Sequence, residues 1–347
     1  MTAPRRAEQD IGMEYDAFLL VSFGGPEGPD DVMPFLENVT RGRGVPAARL
    51  AEVAEHYRHY GGVSPINAQN RSLLAALGPA LPGLPLYWGN RNWHPYLADT
   101  VAAMRDHGVR RALAFVTSAY GSYSACRQYL DDIDRARAEV GPGAPEIDKI
   151  RHFHDHPGFV MPHADAVTAA LNTLPERSPA RTRLVFTAHS IPTQMEATSG
   201  PEGGRYTAQL RETAALVAGA GAPELAWDLV WQSRSGPPQV PWLAPDVNDH
   251  LATLAAEGVR NVVVSPIGFV SDHLEVLWDL DNEAAGTARK VGMAFARAAT
   301  PGTDPRFVAM VTDLVAERVG PHNARHALGT VPTWDVCPVG CCAPTRP

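Results

Sequence analysis

The alternation of segment types along the sequence predicts an α/β fold built from parallel sheets, and the length of the chain predicts the number of domains. Short runs of β-branched and aliphatic residues alternate with longer amphipathic segments along the whole chain. This strand–helix–strand rhythm is typical of parallel sheets with helices on both faces. A length of 347 residues corresponds to about two domains.

Each predicted strand is a short aliphatic run, and each predicted helix is a longer segment with apolar residues at helical spacing. The predicted strands cover residues 16–22, 84–88, 111–117, 183–187, 229–232 and 260–266. The predicted helices cover residues 46–59, 67–77, 96–107, 124–139, 158–174, 205–218, 246–257 and 273–291.

A polar, proline-bearing stretch at 174–183 (LPERSPARTR) marks the expected domain boundary. We predict an N-terminal domain over 1–175 and a C-terminal domain over 176–302. A helix at about 303–320 is expected to pack back onto the first domain, and 321–347 forms a cysteine-bearing tail. Because ligands of open α/β sheets bind beyond the carboxyl ends of the strands, we expect functional residues directly after strands.

Composition and charge exclude several classes of function. The 30 basic and 38 acidic residues give a net charge of −8, which argues against a nucleic-acid partner. No apolar run approaches the roughly 18–20 residues of a membrane helix, and the first fourteen residues lack a secretory signal, so we expect a cytoplasmic protein. Only two lysines occur among the 30 basic residues. The arginine excess suits an anionic substrate, but a genome-wide compositional bias is the favoured explanation for it.

The chemistry-bearing residues follow the predicted strands. The first strand leads into Ser22-Phe23-Gly24-Gly25-Pro26, a tight turn without a phosphate-binding glycine pattern. His189 follows the strand at 183–187, where a lone histidine is more often satisfied structurally. Its candidate partner is Glu275, which begins a stripe continued by Asp279 and Glu283 at i+4 and i+8. The stripe is either a solvated face or a carboxylate ladder that passes protons or cations, with His189 and Glu275 holding a divalent metal.

Two further groups of metal-ligating residue types occur. Residues 151–156 (RHFHDH) resemble a metal site, but the segment ends at Pro157 without an acidic partner nearby, and we expect a surface strand end. Cys126 and the tail residues Cys337, Cys341 and Cys342 are four cysteines in a chain expected in the cytosol, where disulfides are disfavoured. An iron–sulfur cluster, a zinc site and free thiols are the alternatives for them.

Several segments in order along the chain together resemble the ferrochelatase family, whose members insert ferrous iron into a porphyrin. They are VSFGGP at 21–26, RGR at 41–43, HYGGVSPIN at 59–67, GNRNWHP at 89–95, TSAYGSYSACRQY at 117–129, TAHSIP at 187–192, WQSRSGPPQVPWLAPDV at 231–247 and SPIGFVSDHLEVLWDLDNE at 265–283. The arginine-rich form with a cysteine tail is most similar to the actinobacterial branch, which is associated with coproporphyrin III and a two-iron, two-sulfur cluster.

The resemblance implies two Rossmann-like domains around a porphyrin cleft. It implies a metal-binding pair, His189 and Glu275, with Asp279 and Glu283 continuing the carboxylate ladder. The substrate contacts that it implies are Ser64, Tyr129, Tyr57, Arg41 and Trp242. It also implies Fe²⁺ as substrate, a cluster held by the four cysteines, and a transient contact with the next enzyme of haem synthesis. Phe23 stands where coproporphyrin chelatases place a tyrosine that can ligate product iron, and phenylalanine has no donor atom for that.

The implied mechanism makes His189 the base for the pyrrole protons. We expect Glu275 to face it from the opposite wall of the cleft, with a gap the size of a tetrapyrrole between them. Adjacent Cys341 and Cys342 can both reach iron only with a strained local backbone. A protoporphyrin IX chelatase, a cobalt chelatase and a non-catalytic porphyrin or haem carrier are the alternatives, and a carrier needs neither base nor acid ladder.

Overall fold

A computed structural model describes residues 15–236, 239–320 and 324–344, and it contains two four-stranded parallel sheets. The first sheet has the order β2-β1-β3-β4, and the second has the order β6-β5-β7-β8. The strands are β1 Ala17–Ser22, β2 Leu86–Asn90, β3 Arg111–Val116, β4 Glu146–Lys149, β5 Thr182–His189, β6 Trp227–Gln232, β7 Asn261–Ser265 and β8 Ala294–Arg297. The predicted α/β class with parallel sheets is therefore confirmed.

Helices cover both sheets, as the alternating pattern predicts. The α-helices are α1 Val32–Val39, α2 Ala47–His59, α3 Ile66–Ala80, α4 Leu97–Asp106, α5 Gln128–Val140, α6 Pro157–Leu171, α7 Thr193–Ala197, α8 Arg205–Gly221, α9 Val247–Ala256, α10 Leu274–Val276, α11 Ala285–Lys290 and α12 Pro305–Val319. None of the helices in the described ranges combines the length and the apolarity needed to cross a bilayer.

Two predicted α-helices contain a π-helix. The segment predicted at 124–139 begins with π1, Tyr123–Arg127, and the segment predicted at 273–291 contains π2, Leu277–Ala284. Hydrogen bonds from residue i to residue i+5 widen the turn and are frequent at functional sites, but apolar spacing does not reveal them. Each π-helix comes after the third strand of its sheet.

The edge strands β4 and β8 and the short helix α1 are absent from the sequence prediction. β4 reads EIDK and β8 reads AFAR, so neither forms an aliphatic run. Both occupy the outer position of a sheet, where a strand needs fewer apolar residues.

The largest hydrophobic cluster is shared by the two sheets. It contains Phe18 of β1 and Phe186 of β5, together with Phe159 of α6 and Phe307 of α12. α12 packs against α6 and α3. The shared core fixes the carboxyl ends of both sheets relative to one another.

Residues 324–335, which we call the strap, cover the segment after β4. Leu328 N donates to Asp155 O, and the backbone N–H groups of Thr330 and Val331 donate to Glu212. The expectation of a surface strand end at 151–156 is therefore wrong: His154 is fully buried and Arg151 is 2% exposed. The strap has no regular secondary structure, so local sequence patterns could not predict this cover.

Candidate active site

His189 is the last residue of β5, at the carboxyl edge of the second sheet. Its Nδ1 lies 2.5 Å from Ser190 O. A carbonyl oxygen only accepts hydrogen bonds, so Nδ1 carries the proton of the neutral ring and the lone pair is on Nε2. Tyr206 donates to His189 O at 2.9 Å and fixes the backbone there. The imidazole is thus oriented to accept a proton or bind a metal through Nε2.

Glu275 faces that nitrogen. Its Oε2 lies 3.7 Å from His189 Nε2, and the two side chains are 48% and 35% exposed. His273 caps the helix start by accepting from Glu275 N, and burial lowers the pKa of His273, which keeps it neutral beside the carboxylate. Divalent first-row ions such as zinc bind these atom types at about 2.0–2.2 Å, so one ion can span this separation.

The expectation that the pair faces each other from opposite walls is wrong. Both side chains lie at the edge of the second sheet, and 3.7 Å accommodates an ion but no macrocycle. Both residues follow strands of that one sheet, β5 and β7, and parallel strands bring their carboxyl ends to one edge.

The facing wall comes from the first sheet and its helices. Phe23 follows β1, where Gly24 has a φ of +82° and a Cβ would meet Asn90 at 2.8 Å. Phe23, Phe35 and Tyr57 line a cavity of about 80 Å³ together with Glu275. The cavity therefore has an apolar wall and contains the Glu275 carboxylate, whereas His189 is not among its lining residues.

Asp279 is the second acid of the stripe and lies on π2. Gln232 donates to it at 3.2 Å, and Ser233 hydrogen-bonds to it as well. Burial raises the pKa of Asp279 to about 7, with further increases from the negative charges of Glu275 and Glu283. Both protonation states are then populated near neutral pH.

Gln232 and Ser233 were missed in the sequence analysis. Gln232 is the last residue of β6 and Ser233 directly follows it. The rule that functional residues lie at the carboxyl ends of strands could have found both. Ser233 has a φ of +60°, a left-handed conformation that is uncommon outside glycine. This strained backbone presents the Ser233 hydroxyl to Asp279.

Glu283 ends the stripe at the surface. Its Oε1 accepts from Trp278 Nε1 at 2.8 Å, and the Trp278 ring stacks on His56 of α2 with centroids 3.9 Å apart. The acids thus run from the cleft, through a half-buried position, to an exposed position at the junction of α2 and π2.

The five predicted substrate residues do not all line the cavity. Tyr57 lines the cavity, while Ser64 is buried under the turn at Gly25. Tyr129 is buried below the Arg91 guanidinium, whose carbon lies 4.4 Å from the ring centroid.

The other two lie outside the regular helices and strands. Arg41 is exposed and close enough to Tyr96 to lower the pKa of that phenol, although burial raises it overall. Trp242 pairs with Pro192 in the loop beside His189. Only Tyr57 of the five shares the cavity with Glu275.

A larger open groove of about 530 Å³ lies between Gln69, Asp272 and Asp304. Arg297 and Thr300 both bind the Asp272 carboxylate, so this acid is already neutralised. The groove lacks the imidazole–carboxylate pair and is not the candidate active site.

The four cysteines come together at a second place, which we call the cysteine site. Cys337 contacts the Cys126 thiol, and Cys341 Sγ lies 3.8 Å from Cys342 Sγ. Cys342 has a φ of +53°, the strained backbone that the adjacent cysteines were expected to need. Its sulfur accepts from Gly200 N at 3.2 Å. Burial raises the pKa of the Cys341 thiol to about 12.

Two other groups of potential metal ligands occur among the described residues, and both have other roles. His154 Nε2 bonds Glu212 at 2.9 Å, and Glu212 holds the strap. His156 Nδ1 accepts from Gly158 N at 3.0 Å, so Nε2, the atom facing Asp313 and His326, carries the proton of the neutral ring. In the first group His154 Nε2 is already paired with Glu212, and in the second His156 presents a donor and not a lone pair to Asp313 and His326.

Sequence comparisons identify close relatives. A family model described as ferrochelatase matches residues 15–319. A coproporphyrin III ferrochelatase from Nocardia farcinica is 57% identical, covering 96% of this chain and 98% of the relative. One from Mycolicibacterium smegmatis is 58% identical over 88% of this chain and 90% of its own length. A ferrochelatase from Rhodopirellula baltica is 55% identical, with coverages of 96% and 95%.

Solved structures share the fold at low identity. SirB from Bacillus subtilis, solved with Fe³⁺, has a TM-score of 0.54 and 11% identity over 90% of this chain and 99% of its own. CbiX, the terminal enzyme of sirohaem biosynthesis in denitrifying bacteria, has a TM-score of 0.50 and 16% identity over 87% and 98%. At these identities the likeness concerns the two-sheet α/β architecture.

Proposed function

The chain belongs to the ferrochelatase family, and on that premise we propose that it inserts Fe²⁺ into coproporphyrin III, using His189 and Glu275. The observation that carries the proposal is the pair itself: His189 Nε2 lies 3.7 Å from Glu275 Oε2 at the edge of a cleft. Relatives at 57% and 58% identity that are named coproporphyrin III ferrochelatase support the substrate.

The reaction needs a base and a metal ligand on one face of the porphyrin. Two inner N–H protons must leave as iron enters, and His189 Nε2 holds a lone pair directed at that space. Glu275 binds the incoming iron beside it. We place the ring between this pair and the wall of Phe23, Phe35 and Tyr57, which supplies apolar contact area.

The acids of π2 connect the pair to the surface. Asp279, with its pKa near 7, can accept a proton and release it again at neutral pH. Glu283, the exposed acid, is the solvent-facing end of this path for protons or iron ions. A non-catalytic porphyrin carrier needs neither this relay nor the base, so the arrangement favours the enzyme.

Ring entry requires the cleft to widen. The cavity of about 80 Å³ is much smaller than the roughly 300–1,000 Å³ of pockets that bind such ligands. The stacked rings of His56 and Trp278 join α2 to π2 at the mouth. We propose that α1 and α2 move away from π2 to admit the porphyrin.

Arginines at the rim suit a substrate with four propionates. Arg91 pairs with Asp132, and Arg58 pairs with Glu55. Arg41 and Arg43 lie on the exposed turn before α2, and the described residues form no ion pair with them. We propose that these two guanidinium groups bind propionates.

The test of the proposed function is iron insertion measured with two porphyrins. We expect kcat/KM for coproporphyrin III to exceed that for protoporphyrin IX, and the Arg41→Ala/Arg43→Ala double variant to lose this preference mainly through KM. Faster turnover of protoporphyrin IX would contradict the substrate assignment. Tight porphyrin binding without iron insertion would support a carrier instead.

The cysteine site fits a two-iron, two-sulfur cluster. Such a cluster takes four thiolates, two on each iron, and the site offers the pairs Cys126/Cys337 and Cys341/Cys342. The Gly200 N–H group on Cys342 Sγ is a hydrogen bond of the kind that tunes such clusters. When bound, the group would join the tail to π1 and to the loop after α7.

The cluster has its own test. A brown preparation should contain iron and acid-labile sulfide in equal amounts, and Cys337→Ser should lose the colour and lower Tm. We also propose a cytoplasmic location, which the four unpaired cysteines support because thiols persist in reducing compartments.

A further inference from the structure

Tyr206 of α8 is a buried tyrosine whose hydroxyl bonds to the backbone of the proposed base. It is 5% exposed, and its hydroxyl donates to His189 O at 2.9 Å. The ring stacks on Trp231 of β6, with centroids 5.9 Å apart, and lies at 88° to the ring of Tyr120 at 6.1 Å. Tyr206 N donates to Ser199 Oγ at 3.1 Å. Because the ring and the backbone are both held by neighbours, the hydroxyl has a defined position.

The peptide group that joins His189 to Ser190 is hydrogen-bonded on both sides. Its carbonyl oxygen, His189 O, accepts from Tyr206, and its N–H group, on Ser190, donates to Gln232 O at 2.8 Å. The Ser190 hydroxyl donates to Leu243 O at 2.8 Å. Since a peptide group is planar, the bonds on its two sides fix its orientation. The next carbonyl along the chain, Ser190 O, is therefore fixed as well.

That next carbonyl is the acceptor for the imidazole. His189 Nδ1 lies 2.5 Å from Ser190 O, and this bond places the proton of the neutral ring on Nδ1 and the lone pair on Nε2. The imidazole and its acceptor belong to adjacent residues, so rotation of the peptide group between them would separate the two atoms. The ring would then also adopt the tautomer with its proton on Nε2. That tautomer has no lone pair on Nε2 for a pyrrole proton or a metal ion.

We propose that Tyr206 is a positioning residue for His189, and that its hydroxyl holds the peptide group that keeps the imidazole lone pair on Nε2. Tyr206 is not among the residues that line the cavity beside Glu275, so it acts through His189. The use of the lone pair in iron insertion rests on the proposed function, whereas the tautomer is a property of the protein without substrate.

A purely structural role for the Tyr206 hydroxyl is the alternative. A hydroxyl that only satisfies a buried carbonyl contributes stability, and its removal would lower Tm without changing the histidine ring. Tyr15 offers a matched control for this role. It is 1% exposed, and its hydroxyl donates at 3.1 Å to Asp148 of β4, an edge strand of the other sheet.

The experiment compares Tyr206→Phe with Tyr15→Phe, because each removes one buried hydroxyl and keeps the ring. Nuclear magnetic resonance of the histidine ring nitrogens at about pH 8.5, where ordinary imidazoles are neutral, reports the tautomer. The signals that disappear in His189→Ala identify His189. We expect a proton on Nδ1 in the wild type and in Tyr15→Phe, and a mixture of both tautomers in Tyr206→Phe. In Tyr206→Phe, kcat for iron insertion should fall on the order of 10-fold, with KM for coproporphyrin III unchanged.

If Tyr206→Phe does not fold, Ser190→Ala provides the second test, because it releases Ser190 from Leu243 O and should shift the His189 signals in the same direction. Unchanged His189 signals would overturn the positioning role, whatever the change in Tm or kcat. A wild type that inserts no iron would reject the proposed function. A tautomer mixture in Tyr206→Phe would in that case still support the positioning of His189.

Discussion

The two sheets of this protein have the same strand order but present different chemistry to the cleft. In each sheet the first strand is central and ends at the cleft, and a π-helix follows the third strand. The first sheet places Phe23 after its first strand and Cys126 on its π-helix. The second sheet places His189 at the end of its first strand and Asp279 on its π-helix. The fold supplies equivalent positions, and residue type decides which half reacts.

The two halves of the molecule differ in their roles because of what iron insertion requires. The proposed base, metal ligand and proton relay lie together, and they share one sheet edge. In the proposed function, the other half supplies apolar surface for the ring, and its Cys126 contacts Cys337 of the tail. The comparison predicts that substitutions in the second half impair chemistry, whereas those in the first half impair binding and release.

The largest expected effect is that of His189→Ala. Removing the base should lower kcat for iron insertion by on the order of 10²–10⁴-fold, while the Kd for porphyrin, measured by fluorescence quenching, stays nearly unchanged. Glu275→Gln should have a similar effect, and Glu283→Gln a smaller one. His107→Ala, an exposed histidine at the end of α4, is the control. Robust turnover by His189→Ala would show that the second half does not hold the base.

Phe23→Tyr tests the opposite wall. A phenol oxygen there can ligate iron in the product, so we expect product release to slow and kcat to fall several-fold. The absorption spectrum of bound product should shift as well. Phe23→Leu, which adds no donor, is the matched control. An unchanged product spectrum in Phe23→Tyr would mean that Phe23 does not face the metal.

Asp279→Asn tests the half-buried acid through stability. Its pKa is raised from 3.8 to about 7 in the folded chain, so the folded state binds more protons than the unfolded state. The free energy of unfolding of the wild type should therefore fall as pH rises from about 4 to 7. Asp279→Asn should remove on the order of 2 kcal/mol of that dependence, measured by urea unfolding at pH 5 and 8. Asp281→Asn on the same helix is the control, and equal pH slopes in both variants would contradict the assignment.

The smallest expected effect is that of His56→Ala. The His56 ring stacks on Trp278 at an interplanar angle of 9° and joins the two halves at the mouth of the cleft. Loss of the stack should raise the association rate of coproporphyrin several-fold in stopped-flow fluorescence, with little change in kcat. Glu55→Ala, on the exposed face of α2, is the control. An unchanged association rate would place ring entry elsewhere.

Local patterns predict much of this architecture. Aliphatic runs locate the six strands that are longer than four residues. The position after a strand, together with the i, i+4 spacing, locates His189, Glu275 and Asp279. The edge strands β4 and β8 carry too few apolar residues to show such a pattern. The π-helices, the strained Ser233 and the burial of His154 depend on contacts distant in sequence. The relation between His189 and Glu275 was mistaken because spacing along the chain does not show which sheet edge carries each residue.

The most direct test of the central claim is a crystal structure with Co²⁺, as a stable substitute for Fe²⁺, and an N-methyl porphyrin that cannot be metalated. We expect anomalous density for the ion between His189 Nε2 and Glu275, with the ring between that ion and Phe23. An ion bound on the Phe23 side of the ring, or a ring bound outside this cleft, would contradict the account.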